Sequence, residues 1–232
     1  MTTFTRILLN PQKRGGRRLL SNPQAMHAAV RASFPPDLDE STSRILWRVD
    51  HDGHEHTLYI VGPEEPDRSV IVDQAGWAAR PGETADYDPL LDGLRLGHER
   101  RFRLTANPVR SLAAQGQKRG KIVPHVTPAQ QVQWLVGKAS AHGFEVRMTP
   151  ATDTGAPDTA LPDVIVDRRE NLSFTRRDKT SPRTGTVTLR TARFDGSLRI
   201  TDVEAFRRTL THGIGRGRAY GCGLLTIARL EG

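Results

Sequence analysis

A chain of 232 residues with 36% apolar content can bury a core as one large domain or as two of about 100 residues each, which excludes a disordered chain. One cysteine, Cys222, excludes an intramolecular disulfide and fits a reducing compartment, and no run approaches the roughly 18 apolar residues of a membrane span. Lysine and arginine outnumber the acids 34 to 26, yet residues 50–92 set eleven acids against only Arg68 and Arg80, so the positive charge is concentrated elsewhere.

Along the chain, "TFTRILLN" alternates and reads as a strand, and the basic "PQKRGGRRLLS" after it reads as a glycine-broken loop. Residues 1–20 are basic, with no apolar run longer than Ile7-Leu8-Leu9, so no signal peptide is expected and the protein reads as soluble and cytoplasmic. Asn22-Pro23 is a good N-cap and first helical residue, predicting a helix that stops near Phe34, before Pro35-Pro36. "RILWRVD" and "HTLYIVG" flank "HDGHE", whose Asp-Gly marks a hairpin. An acidic, less regular stretch follows to about Gly97.

A second unit opens with the strand "ERRFRLTANPV" and the basic loop "GQKRGKIVPH". Thr127-Pro128 starts a helix to about His142, and strands follow at "FEVRM", "DVIVDRRENLSFTRR" and "GTVTLRTARFDGSLRIT", the last read as a hairpin across Asp195-Gly196. Asp202 caps "DVEAFRRTLTH", a glycine stretch follows, and "LLTIARL" closes as a strand, with Cys222 read into it. Both halves spell β-α-β-β-α-β, the second helix of the first half only weakly. The expectation is an α+β chain of two tandem ferredoxin-like (RRM-like) domains with antiparallel sheets, divided as 1–95 and 96–232.

The charge asymmetry calls for a polyanion, and nucleic acid fits better than a membrane surface because no basic amphipathic helix is present. "GIGRGRAYGCG", residues 213–223, puts five glycines beside Arg216 and Arg218. It is no Rossmann fingerprint: counted from Gly213, the third glycine position is Arg218, and the segment follows a helix instead of a strand. It is no P-loop either, since no two of its glycines lie five apart before a lysine. What remains is a helix-to-strand loop open to close backbone approach, either a structural corner or a phosphodiester contact through Gly213, Gly215, Arg216, Gly217 and Arg218.

"GIGRGRAYGCGLL" before a final strand resembles the C-terminal glycine-rich motif of the CRISPR repeat-associated RNA-binding superfamily. With "ILLNP…RRLLSNPQAMHAAV" and "FRLTANPVRSLA" in the right order, the chain is similar, over essentially its whole length, to the CasE family of endoribonucleases that process precursor CRISPR RNA. The resemblance implies two ferredoxin-like domains and metal-independent cleavage at the base of the repeat hairpin. It also implies retention of the product in the multisubunit Cascade complex, whose other subunits are then partners.

Metal-free RNA cleavage must activate a 2′-hydroxyl and protonate a 5′-oxygen, work suited to histidine. On the first helix Met26, Ala29, Val30 and Ser33 share one face, Gln24, Ala28 and Arg31 the other, and His27 lies at the edge, one turn from Arg31. Helix geometry alone fits a solvated surface histidine equally well; the resemblance assigns catalysis to His27, without deciding acid or base. Where many family members carry a tyrosine three residues earlier, this chain has Gln24, which cannot transfer protons. Arg31 and Arg177 are candidates to stabilise the phosphate.

"HDGHEH" brings His51, His54 and His56 together, but the hairpin explains them and no metal or cofactor is expected. Basic clusters are candidates to grip RNA: Lys13, Arg14, Arg17 and Arg18; Lys118, Arg119 and Lys121; and Arg176, Arg177 and Lys179, which match a family hairpin that contacts RNA. "LLTIARL" carries no aromatic for base stacking, so duplex shape and phosphates are the expected target, with sequence read by a few base-edge contacts. Two rivals stay open: a non-catalytic RNA-binding subunit, and a ferredoxin-like regulatory domain holding an anionic small molecule.

Overall fold

The structure, a computed structural model, describes residues 1–38, 44–112, 120–150, 160–177 and 184–230. Strand β1 (Thr3–Leu9) leads into helices α1 (Arg14–Ser21) and α2 (Pro23–Ala32). Strands β2 (Leu46–Asp52) and β3 (Glu55–Gly62) form the expected hairpin, with Gly53 at a φ of +55°. The acidic stretch is more regular than its composition implies, giving α3 (Ser69–Ala75), β4 (Glu83–Asp86) and α4 (Asp88–Asp92). Short α3 supplies the weakly written second helix by burying Ile71, Val72 and Ala75. The sheet order β2-β3-β1-β4, antiparallel throughout, is ferredoxin-like.

The second half repeats the plan. Strand β5 (Glu99–Ala106) ends at Asn107-Pro108, and β6 (Val109–Leu112) pairs with β7 (Lys121–Pro124) in a separate small hairpin. Helix α5 (Pro128–Ala139) starts with a reciprocal cap between Thr127 and Gln130. Then come β8 (Phe144–Val146), β9 (Met148–Pro150), β10 (Ala160–Pro162), β11 (Val164–Arg177) and β12 (Thr184–Ile200). Helix α6 (Val203–His212), capped by Asp202, and β13 (Leu225–Arg229) complete the chain. The sheet runs β11-β12-β5-β13 with β8 also on β12, again antiparallel.

Three local expectations are corrected. The "KRGGRR" segment is helix α1, not a loop. A Cβ on Gly16 would sit 1.8 Å from the Asn10 carbonyl oxygen, so glycine there serves close packing of a helix and not a turn. Asp195-Gly196 makes no hairpin, because β12 runs straight through it; Gly196 pairs with both Phe102 and Val164, where a Cβ would strike the Asp163 carbonyl. Cys222 lies in the loop before β13 and not within it, fully buried, its thiol pushed up to about 12 by burial and by the charge of Glu170.

One core gathers Ile7, Leu9, Met26, Val30, Trp47 and Leu58 under α1–α3. A larger core under α5 and α6 is centred on Leu104, Phe144, Phe194 and Phe206, and it takes in Leu46, Val61 and Tyr87 from the first half. The two sheets are also tied by Arg48 of β2. It is 2% exposed and donates to the carbonyls of Arg103 and Leu224, each at 2.9 Å.

Candidate functional site

Helix α2 begins where the Asn22 side chain accepts from the backbone N–H groups of Gln24 and Ala25, at 3.0 and 3.2 Å. Its inner face buries Met26, Ala29 and Val30 in the first core. Met26 and Val30 contribute roughly 1.5–3 kcal/mol each, which fixes the helix roll and turns Gln24, His27, Ala28 and Arg31 outward.

The glycine segment folds back over that outer face. All five of its glycines have positive φ, and the loop is closed by Ile214 N–H to the Gly223 carbonyl at 2.9 Å and Gly223 N–H to the Thr105 carbonyl at 2.7 Å. At Gly215, with φ +78°, a Cβ would lie 3.0 Å from the Trp134 ring; at Gly221, also +78°, it would lie 2.7 Å from Trp47. These glycines let backbone pack on two buried tryptophans, so their bare side faces protein and not the open site. Between them a single 3-10 turn, Arg218–Tyr220, projects toward α2.

The result is an open cavity of about 1100 Å³ between α2 and the loop. His27, Gln24 and Arg31 line one wall; Arg216, Arg218 and Tyr220 line the other, with Arg44 beside them. No acidic side chain is among the described lining residues. The Nε of Arg218 is buried with no hydrogen-bond partner among the described residues, and burial together with the charge of Arg44 pulls its guanidinium below its ordinary value. An anion placed here would relieve that cost.

The structure thus joins His27 of one half to Arg216 and Arg218 of the other, although 189 residues separate His27 from Arg216. Arg31 lines the cavity but is committed elsewhere. Its guanidinium donates to the carbonyls of Phe34, Pro35, Pro36 and Leu38, closest at 2.7 Å to Pro35, and so holds the turn after α2. Any contact with a phosphate requires exchanging some of those bonds.

The other basic side chains among the described residues do not line this cavity. Lys13 and Arg17 are structural, donating to the carbonyls of Val72 and Gln12 at 3.3 and 2.7 Å, while Arg14 and Arg18 are exposed on α1. Lys121 is exposed on β7; Lys118, Arg119 and Lys179 lie outside the described residues. Arg176 and Arg177 end β11, in register with Gly185 and Thr184 at the far end of a hairpin that extends beyond β5.

Two lining residues escaped sequence reasoning. Arg44 stands alone in sequence before a strand. Tyr220 was visible within the glycine motif, but only folding sets its ring against His27, with centroids 6.3 Å apart and planes at 66°. The histidines of "HDGHEH" resolve into a cross-strand pair, His51 Nδ1 to His56 Nδ1 at 2.7 Å. Among the described residues, no three His, Cys, Asp or Glu side chains converge as a metal site would require, and no helix is long and apolar enough to cross a membrane.

Fold and site together define a protein of the paired ferredoxin-like class, with a histidine and several arginines around one cavity free of described acidic side chains. A family model described as CRISPR associated protein matches residues 4–229. The CRISPR-associated endoribonuclease Cse3 of Thermus thermophilus is 32% identical over 97% of this chain and 99% of its own length. A structure of Thermus thermophilus Cse3 bound to an RNA representing a pre-cleavage complex superposes with a TM-score of 0.75 at 30% identity, covering 98% of both chains. Cas6e from Escherichia coli shares the fold, with a TM-score of 0.57 at 20% identity over 99% of this chain and 100% of that one. The chain belongs to this CRISPR-associated protein family, as a member of its CasE branch.

Proposed function

We propose that this chain is a metal-independent endoribonuclease that cuts precursor CRISPR RNA at its repeat hairpin and keeps the product for Cascade. The observation that carries the reading is the convergence of His27 with Arg216, Arg218 and Arg44 around one cavity, in a relative of an RNA-bound endoribonuclease.

In this reading the 2′-hydroxyl attacks the adjacent phosphorus, the bond to the 5′-oxygen breaks, and the products are a 2′,3′-cyclic phosphate (or 3′-phosphate) and a 5′-hydroxyl. His27 makes one of the two proton transfers, either accepting from the 2′-hydroxyl or donating to the departing oxygen. The guanidinium groups of Arg216 and Arg218 stabilise the extra negative charge on the phosphorane oxygens, a role worth several kcal/mol once bound RNA displaces water from the cavity. The exposed arginines of α1 and the arginines of the β11–β12 hairpin hold the duplex through its phosphates. The domain boundary near residue 95 remains part of this proposal, as does a cytoplasmic location.

Gln24 favours a second reading, a non-catalytic RNA-binding subunit, because it lines the cavity beside His27 and cannot carry a proton. One experiment separates the two. The repeat RNA of the host is incubated with the protein in EDTA, intact and with a single 2′-deoxy nucleotide upstream of the cut. A single cleavage of the intact RNA alone supports the enzyme. Binding without cleavage supports the subunit, and cleavage of the deoxy substrate would require an activated water instead.

A further inference from the structure

We infer that Tyr220 is a positioning residue for His27, a role that rests on His27 being the proton-transfer group proposed above. Helix α2 carries no tyrosine, phenylalanine or tryptophan of its own, and the outward neighbours of His27 on the helix are Gln24, Ala28 and Arg31. The Arg31 guanidinium donates to the carbonyls of residues 34–38. A ring from the other half of the chain meets the imidazole: Tyr220 packs against His27 in an edge-to-face geometry and is itself met by Phe174 of β11, with centroids 4.8 Å apart and planes at 63°.

The tyrosine is itself firmly held. Its backbone N–H donates to the Gly217 carbonyl at 2.8 Å, and it stands between Gly217 and Gly221, at φ +85° and +78°, which set the tight turn. Phe174 is buried, so it backs the ring with a fixed surface. Edge-to-face contacts between aromatic rings have a preferred geometry, so the contact restricts rotation of the imidazole about its side-chain bonds. Proton transfer depends steeply on where the ring nitrogen points, and a misplacement of about 1 Å costs on the order of 100-fold in rate. Tyr220 carries no charge for a phosphate, so its loss should slow the chemical step and spare the grip on RNA.

The test is single-turnover cleavage of the repeat RNA, with binding measured in parallel. Tyr220→Leu keeps apolar bulk without a ring and is expected to slow cleavage by roughly 10- to 100-fold with affinity within about threefold. Tyr220→Phe restores the ring and is expected to restore the rate. NMR of the free protein gives a readout independent of activity: the ring protons of His27 shift in the Leu variant and not in the Phe variant.

A wild-type rate in Tyr220→Leu, or an equal loss in Tyr220→Phe, would overturn the inference. Should Tyr220→Leu fail to fold, Phe174→Leu takes its place, removing the support behind the ring, and is expected to slow cleavage by a smaller factor. If the wild-type protein does not cut, or His27→Ala cuts at the wild-type rate, the functional reading itself fails and the inference falls with it. Failure in the Tyr220 variants alone leaves that reading standing.

Discussion

Arg48 and Asp50, alternate residues on the same face of β2, meet in a two-point ion pair buried between the two sheets, Nε to Oδ1 at 2.7 Å and Nη2 to Oδ2 at 2.9 Å. Burial alone would raise the Asp50 carboxyl; the hydrogen bond and charge of Arg48, joined by Arg103, outweigh it and hold the group below its ordinary value of 3.8. Asp50→Ala should therefore cost about 3–5 kcal/mol at neutral pH, because Arg48 is left buried and uncompensated. The pair's contribution is present above pH 3.8 and is lost as pH falls through the lower value of the folded state. Urea unfolding at pH 7 and pH 3 checks both points: the penalty of the variant should shrink at the lower pH.

His27→Ala should abolish cleavage of the repeat RNA while leaving its binding within a few-fold, since the imidazole does chemistry and does not grip. A near wild-type rate in this variant would sink the assignment. The measurement is gel-resolved cleavage alongside a binding titration at fixed salt.

The glycine loop divides its work between packing and charge. Gly215→Val forces a β-branched residue into a positive φ and against Trp134, so the melting temperature should fall by several degrees. Arg216→Ala and Arg218→Ala should barely move it. Each arginine that touches a phosphate should instead weaken RNA binding and lower the salt slope by about one. An unchanged affinity and slope in both would make the loop a structural corner.

The His51–His56 pair predicts acid sensitivity before the carboxylates titrate. Burial, then the charge of Arg168, lowers both imidazoles below 6.5; Glu170 and Asp50 pull His51 partly back. A depressed value means that the unfolded chain binds more protons, so stability is full above pH 6.5 and declines as pH falls through the folded values. His56→Gln removes one of the two groups and should flatten that decline between pH 7 and pH 5. Thermal melts across that range decide it.

Local rules already determined much of this molecule. The Asn22-Pro23, Thr127-Pro128 and Asp202 caps, the Asp-Gly turn at Gly53 and the apolar stripe of α2 depend on near neighbours in sequence, and each stands as expected. The glycine motif was legible for the same reason, since its spacing alone separated it from nucleotide-binding loops. Where glycine served a distant partner the local reading failed. Gly16 is bare because of the Asn10 carbonyl, and Gly196 because of the Asp163 carbonyl, so neither marks a turn.

The site belongs to the tertiary structure. Nothing local brings Tyr220 to His27 or sets Arg44 beside Arg218. Those relations follow from docking one ferredoxin-like unit on the other, through Arg48 and the shared apolar residues Leu46 and Val61. Sequence determined which groups could do chemistry; the packing of two halves, whose contacts lie far apart along the chain, decided which of them meet.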